Sequence, residues 1–74
     1  MIAPKVLDAR GLPPPEPMER TLEALDELQE GQELLLLLYR EPFPLYGILQ
    51  RNGYGHRVES TPDGTFQIYI SRAV

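Results

Sequence analysis

Five consecutive leucines, Leu34–Leu38, constrain the fold of this chain more than any other feature. The run is too short to cross a bilayer, but it has the length of a β-strand. Successive side chains of a strand point to opposite faces of the sheet, so five leucines leave neither face polar. The run therefore predicts a central strand, over residues 33–39, that is covered on both faces.

A helical pattern precedes this strand. Pro15 and Pro17 suit the first turn of a helix, where a missing N–H donor costs nothing. Gly31 suits its end, because glycine adopts the left-handed conformation without a side-chain clash. We predict a helix over residues 15–30 whose acidic side chains face away from the sheet. Its apolar stripe, spaced at three and four residues, comprises Met18, Leu22, Leu25 and Leu28.

The remaining elements follow from shorter signals. Val6 and Leu7 indicate a first strand over residues 5–8. A second, short helix is predicted to begin near Pro44 and to end at Asn52-Gly53, since proline favours a first turn and glycine an end. Two strands, 54–60 and 65–72, flank residues 61–64, Thr-Pro-Asp-Gly, which are typical of a tight turn. Burial is predicted for Leu45, Ile48 and Leu49.

These elements give the order β-α-β-α-β-β. A crossover through the first helix makes the first two strands parallel, and the closing hairpin adds antiparallel pairing. We therefore predict one domain over residues 1–74 with an α/β (α+β) fold: a two-layer sandwich of a four-stranded mixed sheet with two helices on one face. In the last strand, Phe66, Ile68 and Ile70 are expected to face the helices, and Gln67, Tyr69 and Ser71 the open side.

Composition excludes several classes of function. The 74 residues contain no cysteine, which rules out disulfides, thiol catalysis and cysteine-ligated metals. The net charge of −4 disfavours binding to nucleic acid or to anionic membranes. Most of the acidic residues lie between Glu16 and Glu33, so one surface is expected to be acidic. The first residues lack the apolar core of a signal peptide, and a cytoplasmic location is expected.

The start of the first helix resembles a known motif. Leu7-Asp8 at the end of a strand leads through Gly11-Leu12 to Pro14-Pro15-Glu16-Pro17. This segment is similar to the signature of the TusA (SirA-like) sulfur carriers, whose helix begins with Cys-Pro-x-Pro. The resemblance covers roughly residues 6–72 and implies the same fold. Pro14 stands where the sulfur carriers have their reactive cysteine.

Within that superfamily the chain looks most like a cysteine-free branch that carries the segments 11–17 and 40–45. The resemblance places this branch beside hemerythrin-like domains or in respiratory gene neighbourhoods. Since Pro14 can hold no sulfur, the resemblance implies the scaffold and a docking surface, but not the sulfur-carrier chemistry. We therefore expect a protein that is not an enzyme, that uses no cofactor, and that acts as a protein-interaction or accessory module in sulfur, redox or respiratory metabolism.

Both helices should start at the carboxyl ends of strands, so residues 10–15 and 40–44 should share one edge, where ligands of α/β sheets usually bind. One alternative is a surface for a protein partner. The other is an anion site formed by Arg10, Arg40 and the two helix N-termini. Prolines there remove N–H donors, and Glu16 and Glu41 are expected to stabilise the helix dipoles and pair with the arginines instead. The candidate residues are Arg10, Pro14, Glu16, Arg40, Glu41 and Phe43.

The open face of the sheet is a second candidate surface. Helices cover one face only, so either Leu34, Leu36 and Leu38 or Leu35 and Leu37 must point to the other. A homodimer through Leu34–Leu38 and Tyr69 would cover them, as would a partner domain or long arginine side chains. The single histidine, His56, is expected at the surface or a strand edge, since one histidine without neighbouring ligands makes no metal site.

Overall fold

The computed structural model describes residues 2–73, and its elements follow in the predicted order β-α-β-α-β-β. Four strands form one mixed sheet, and two helices pack against the same face of it. This two-layer sandwich confirms the predicted fold class. The elements are β1 (Lys5–Asp8), α1 (Glu16–Asp26), β2 (Leu34–Leu38), α2 (Phe43–Arg51), β3 (Tyr54–Ser60) and β4 (Phe66–Arg72).

The sheet has the strand order β1-β2-β4-β3. β1 and β2 are parallel, whereas β4 runs antiparallel to both β2 and β3. The last strand of the chain therefore lies in the interior of the sheet, and β3 lies at its edge. Each central strand is bonded on both sides, which places the leucine run of β2 at the middle of the molecule.

Alternation along β2 divides the leucines between the two faces. Leu34 and Leu36 are fully buried beneath the helices and Leu38 is nearly so, whereas Leu35 and Leu37 are half-buried on the open face. Within residues 2–73 the helices cover only one face of the strand, and the cover predicted for the other face stays a prediction. The helices and strands of residues 2–73 cover one face, and the other carries exposed apolar side chains.

α1 is shorter than predicted. It ends at Asp26 instead of continuing to residue 30. The amides of Glu27 and Leu28 bond three residues back, to Ala24 and Leu25, and this tighter turn carries Leu28 into the core. Gly31, at φ +81°, belongs to a separate turn in which the Gln32 amide donates to the Gln29 carbonyl.

The buried face of α1 is also rotated from the predicted stripe. Leu25 is buried, but Leu22 is 39% exposed, and Thr21 and Ala24 face the sheet instead. Small side chains at these two positions allow the helix to approach the strands closely. The predicted stripe is therefore confirmed at Met18, Leu25 and Leu28 and wrong at Leu22.

The second half of the chain agrees closely with the elements predicted from its sequence. α2 begins at Phe43, one residue before Pro44, and buries Leu45 and Leu49, while Ile48 is only half-buried. The turn between β3 and β4 is closed by the amide of Thr61, which donates to the Thr65 carbonyl at 2.9 Å. Across residues 2–73 neither helix has the length and apolar character needed to span a membrane.

Candidate functional site

The carboxyl ends of β1 and β2 and the first turns of both helices enclose a cleft of about 630 Å³, here called the cap cavity. This volume is within the range of small-molecule and side-chain binding pockets. The structure thus brings the two predicted segments to one edge. The cavity is lined by Ala9, Gly11, Leu12, Pro14, Pro15, Pro17, Met18, Thr21, Leu36, Leu38, Tyr39, Arg40, Glu41, Pro42, Pro44 and Leu45.

The floor of the cap cavity is apolar. Leu36 and Leu38 of β2 and Leu45 of α2 contribute buried side chains to it. Thr21 is the polar residue of the floor, and its hydroxyl donates to the Pro17 carbonyl at 2.7 Å. No buried side-chain polar atom of residues 2–73 lacks a hydrogen-bond partner. The floor therefore favours an apolar occupant over a polar one.

The start of α1 offers few donors to a ligand. Pro15 is the N-cap residue and gives no side-chain cap, and Pro17 has no N–H. The amide of Glu16 donates to the Pro13 carbonyl at 3.0 Å, and the amide of Glu19 to the Pro15 carbonyl at 3.1 Å. The peptide bond between Pro14 and Pro15 is cis. Pro14 is exposed on the cavity wall.

The start of α2 is similarly satisfied. The Phe43 amide donates to the Glu41 carbonyl at 3.0 Å, the Leu45 amide donates to the Pro42 carbonyl at 2.9 Å, and Pro44 has no N–H. An anion at a helix N-terminus is held by free backbone amides. Here both helix starts use most of their amides internally, so they are poor anion sites.

Arg10 lies outside the cap cavity. Its Nε and Nη2 donate to the Asp8 carboxylate at 2.9 and 2.8 Å, and its Nη1 donates to Thr65 Oγ1 at 3.4 Å. These hydrogen bonds and the backbone amide of Arg10 lower the pKa of Asp8 to about 2. Arg10 therefore connects the end of β1 to the hairpin, and unlike Arg40 it is not among the residues that line the cavity.

Of the other candidates, Arg40 and Glu41 line the cavity, whereas Glu16 and Phe43 do not. Arg40 is exposed and makes no ion pair with residues 2–73. Glu16 lies 3.7 Å from Arg20, one turn along α1. The expected pairing of Glu16 and Glu41 with Arg10 and Arg40 is therefore absent from the described part of the chain.

Glu41 is held by a residue that the sequence did not single out. It accepts a hydrogen bond of 3.0 Å from the Tyr46 hydroxyl. Burial, together with this hydrogen bond, raises the pKa of Tyr46 to about 12. Tyr46 thus holds Glu41 at the rim of the cavity, where one carboxylate oxygen of Glu41 already accepts a hydrogen bond.

Tyr46 also organises an aromatic cluster beside the cap cavity. Its ring stacks on His56 at 4.2 Å between centroids and meets Phe43 edge-on at 6.0 Å. Phe43 is 68% exposed, so the cluster presents an aromatic side chain to solvent. The three-residue spacing of Phe43 and Tyr46 could have indicated their contact, but His56 joins them only through the tertiary fold. His56 is exposed on an edge strand, as predicted.

Metal binding has no support in this region. Residues 2–73 contain no group of three or more histidine, aspartate or glutamate side chains arranged to hold a metal ion. The cap cavity therefore combines an apolar floor, one unpaired arginine and an aromatic rim. Such a combination can bind an apolar group.

The fold is shared with a solved structure. The crystal structure of the SirA-like protein from Desulfitobacterium hafniense matches with a TM-score of 0.78 and 24% sequence identity, over 93% of this chain and 95% of that chain. No functionally curated protein matches. The model of the family described as uncharacterized conserved protein, DUF2249, matches residues 6–72. This chain therefore belongs to the DUF2249 family and has the SirA/TusA-like fold.

Proposed function

We propose that this domain is a non-catalytic protein-interaction or accessory module, and that a partner protein docks at the cap cavity. The relation to the SirA-like fold connects the proposal to sulfur, redox or respiratory metabolism, and a cytoplasmic location belongs to the same proposal. The partner inserts an apolar side chain between the start of α1 and the β2–α2 loop. Pro14 replaces the thiol there, so the scaffold is used for docking and not for sulfur transfer.

The observation that carries this proposal is the composition of the cap cavity. Its floor is built from Leu36, Leu38 and Leu45, and Phe43 stands exposed beside it. A pocket that can take an apolar anchor, next to an exposed aromatic ring, is typical of the centre of a protein interface. Arg40 at the rim adds a charge that a partner can pair.

The competing function is the binding of a small anion. It would need Arg10 and Arg40 in one site, but Arg10 is bound to Asp8 and Thr65 away from the cavity. Free backbone amides are also scarce at both helix starts. The geometry therefore favours the partner-binding function.

The docking proposal is tested by quantitative affinity capture from the native cells. Arg40→Glu changes the rim of the cavity, and Phe43→Ser removes the exposed aromatic ring beside it. Circular dichroism checks that both variants fold. Leu22→Ser is the matched control, because Leu22 is an exposed apolar residue of α1 that does not line the cavity. We expect the wild type and the Leu22→Ser control to recover the same partner in equal amounts. The Arg40→Glu and Phe43→Ser variants should each recover at least tenfold less of it, which corresponds to about 1.4 kcal/mol.

An unchanged set of recovered proteins across all four chains would contradict the proposal. A titration of the pure domain with sulfate, phosphate and small carboxylates separates the competing function. Unchanged amide spectra of Arg10 and Arg40 are expected. Saturable shifts at both residues would instead establish an anion site.

A further inference from the structure

The open face of the sheet presents two parallel rows of side chains. The pairing register sets one residue from each strand side by side, in the spatial order β1, β2, β4, β3. The first row is Val6, Leu35, Tyr69 and Arg57. The second row, two residues along each strand, is Asp8, Leu37, Gln67 and Glu59.

Residues 2–73 cover the apolar side chains of this face only in part. Val6 is 59% exposed, and Leu35 and Leu37 beside it are half-buried. The ring of Tyr69 is also shielded by an arginine, because the Arg57 guanidinium lies 3.9 Å from its centre. The expected covering by arginine side chains is therefore limited to the β4–β3 half. A contiguous apolar strip remains along β1 and β2.

Charge distinguishes this face from the rest of the molecule. The acidic residues that give the chain its negative charge lie mostly on and after α1, in the other layer. On the open face each acid has a basic neighbour: Asp8 pairs with Arg10, and Glu59 pairs with Arg57. A second copy approaching this face therefore meets no excess of like charge. In such a pair, the acidic α1 helices lie on the outer sides of the two sheets, away from the interface.

We propose that two copies of this chain pack through their open faces about a two-fold axis that runs across the strands, between the two rows. This axis places the first row of one copy over the second row of the other. Arg57 then faces Glu59 of the second copy, and Leu35 packs on Leu37 of the second copy. The face is self-complementary under this operation, as a two-fold interface requires. Rotation about an axis parallel to the strands would instead place Asp8 over Glu59 of the second copy.

The size of the face sets the strength of the association. β1 and β2 have four and five residues, and β3 and β4 have seven each. At about 3.3 Å per residue and about 4.8 Å between strands, each copy buries on the order of 360 Å². Stable interfaces bury about 800 Å² on each partner. The face is smaller than this, so we expect a weak, concentration-dependent dimer with a dissociation constant in the micromolar range. The cap cavity lies at the ends of the strands and stays open in this dimer, so the inference is independent of the proposed docking function.

Sedimentation equilibrium on the full chain tests the arrangement. At about ten times that dissociation constant the wild type should show nearly twice the 8.4 kDa chain mass. Arg57→Glu sets two acids against each other across the axis, and Glu59→Arg sets two bases, so each variant alone should be monomeric. An equal mixture of the two variants should restore the dimer, because every facing pair is then of opposite charge. Intramolecular damage could not be repaired by mixing.

The controls carry the same charge changes elsewhere. Arg20→Glu and Glu19→Arg lie exposed on α1 and should leave the wild-type dimer mass unchanged. A monomeric wild type, dimeric single variants, or a mixture that stays monomeric would each overturn the proposal. A dilution series of amide spectra of the wild type needs no variant. Concentration-dependent shifts should be largest at Leu35, Leu37 and Tyr69, and shifts confined to the helices would contradict it.

Discussion

The Tyr46 side chain contacts both the rim of the cap cavity and the edge of the sheet. It donates to Glu41, while its ring stacks on His56. Partial burial disfavours the phenolate, and the nearby carboxylate opposes a second negative charge. At the scale of single residues, this side chain holds the β2–α2 loop in position.

We predict that Tyr46 titrates about two units above the ordinary tyrosine value of 10. Its folded-state pKa is raised, so its contribution to stability is complete below pH 10 and is lost as the pH rises through about 12. Glu41→Gln should lower this pKa only in part, because burial is the larger cause. Site-resolved NMR titration measures it, and Tyr46→Phe identifies the signal. Titration of Tyr46 near 10 in the wild type would contradict both its burial and its hydrogen bond to Glu41.

Side-chain partners were the least predictable part of the site. The sequence indicated that Pro14, Arg40 and Glu41 share an edge, since the carboxyl ends of parallel strands meet there. It could not indicate that Arg10 bonds to Asp8 and Thr65, because Thr65 is brought close only by the hairpin. A motif fixes where the backbone of a residue lies, but the direction of a long side chain depends on partners from distant segments.

At the scale of elements, α1 shows how packing overrides periodicity. The pattern through Leu28 is helical, yet the helix ends at Asp26. Glu27 forms an ion pair of 3.1 Å with Lys5 of β1, and the Gln32 side chain accepts from the Gln29 amide. These tertiary and turn contacts replace the last helical turn while Leu28 stays buried.

The rotated face of α1 gives a prediction about stability. Leu25→Ala should lower the free energy of unfolding by about 2–5 kcal/mol, because a nearly fully buried leucine leaves a cavity. Leu22→Ala should change it by less than about 0.5 kcal/mol, because its side chain is 39% exposed. Urea unfolding of the two variants provides the comparison. Similar losses of unfolding free energy at both positions would contradict the rotated face and support the apolar stripe predicted from the sequence.

Elements with local signals were predicted to within a residue or two. The end of β3 was predictable from the turn residues 61–64. The bounds of α2 were predictable from the proline at its start and from Asn52-Gly53 at its end. Boundaries failed where the deciding contact was distant in sequence, as at Lys5 and Glu27. The strand order was not predictable for the same reason, because no local feature indicates that β4 inserts between β2 and β3.

At the scale of the whole molecule, the strand order divides the sheet into two central and two edge strands. β3 and β4 have equal length, but only β4 has a bonded neighbour on each side. Backbone protection should therefore differ between two strands of one hairpin. The proposed face-to-face dimer leaves both sheet edges free and does not alter this expectation.

Hydrogen exchange should show this difference directly. We predict that the amides of Leu36 in β2 and Ile68 in β4 exchange only through global unfolding, since both residues are fully buried in central strands. Outward-facing amides of β3 should exchange at least an order of magnitude faster, by local opening. Site-resolved exchange monitored by NMR gives both rates in one experiment. Equal protection along β3 and β4 would contradict the position of β3 at the edge.

The sheet also determines how the domain can be attached to something else. Lys5 pairs with Leu34, which in turn pairs with Ile70, so the beginning of β1 and the end of β4 lie at the same end of the sheet, two strands apart. The cap cavity lies at the opposite end. A tether, a fused protein or a solid support joined at either of these positions would therefore hold the molecule with its cavity directed outward.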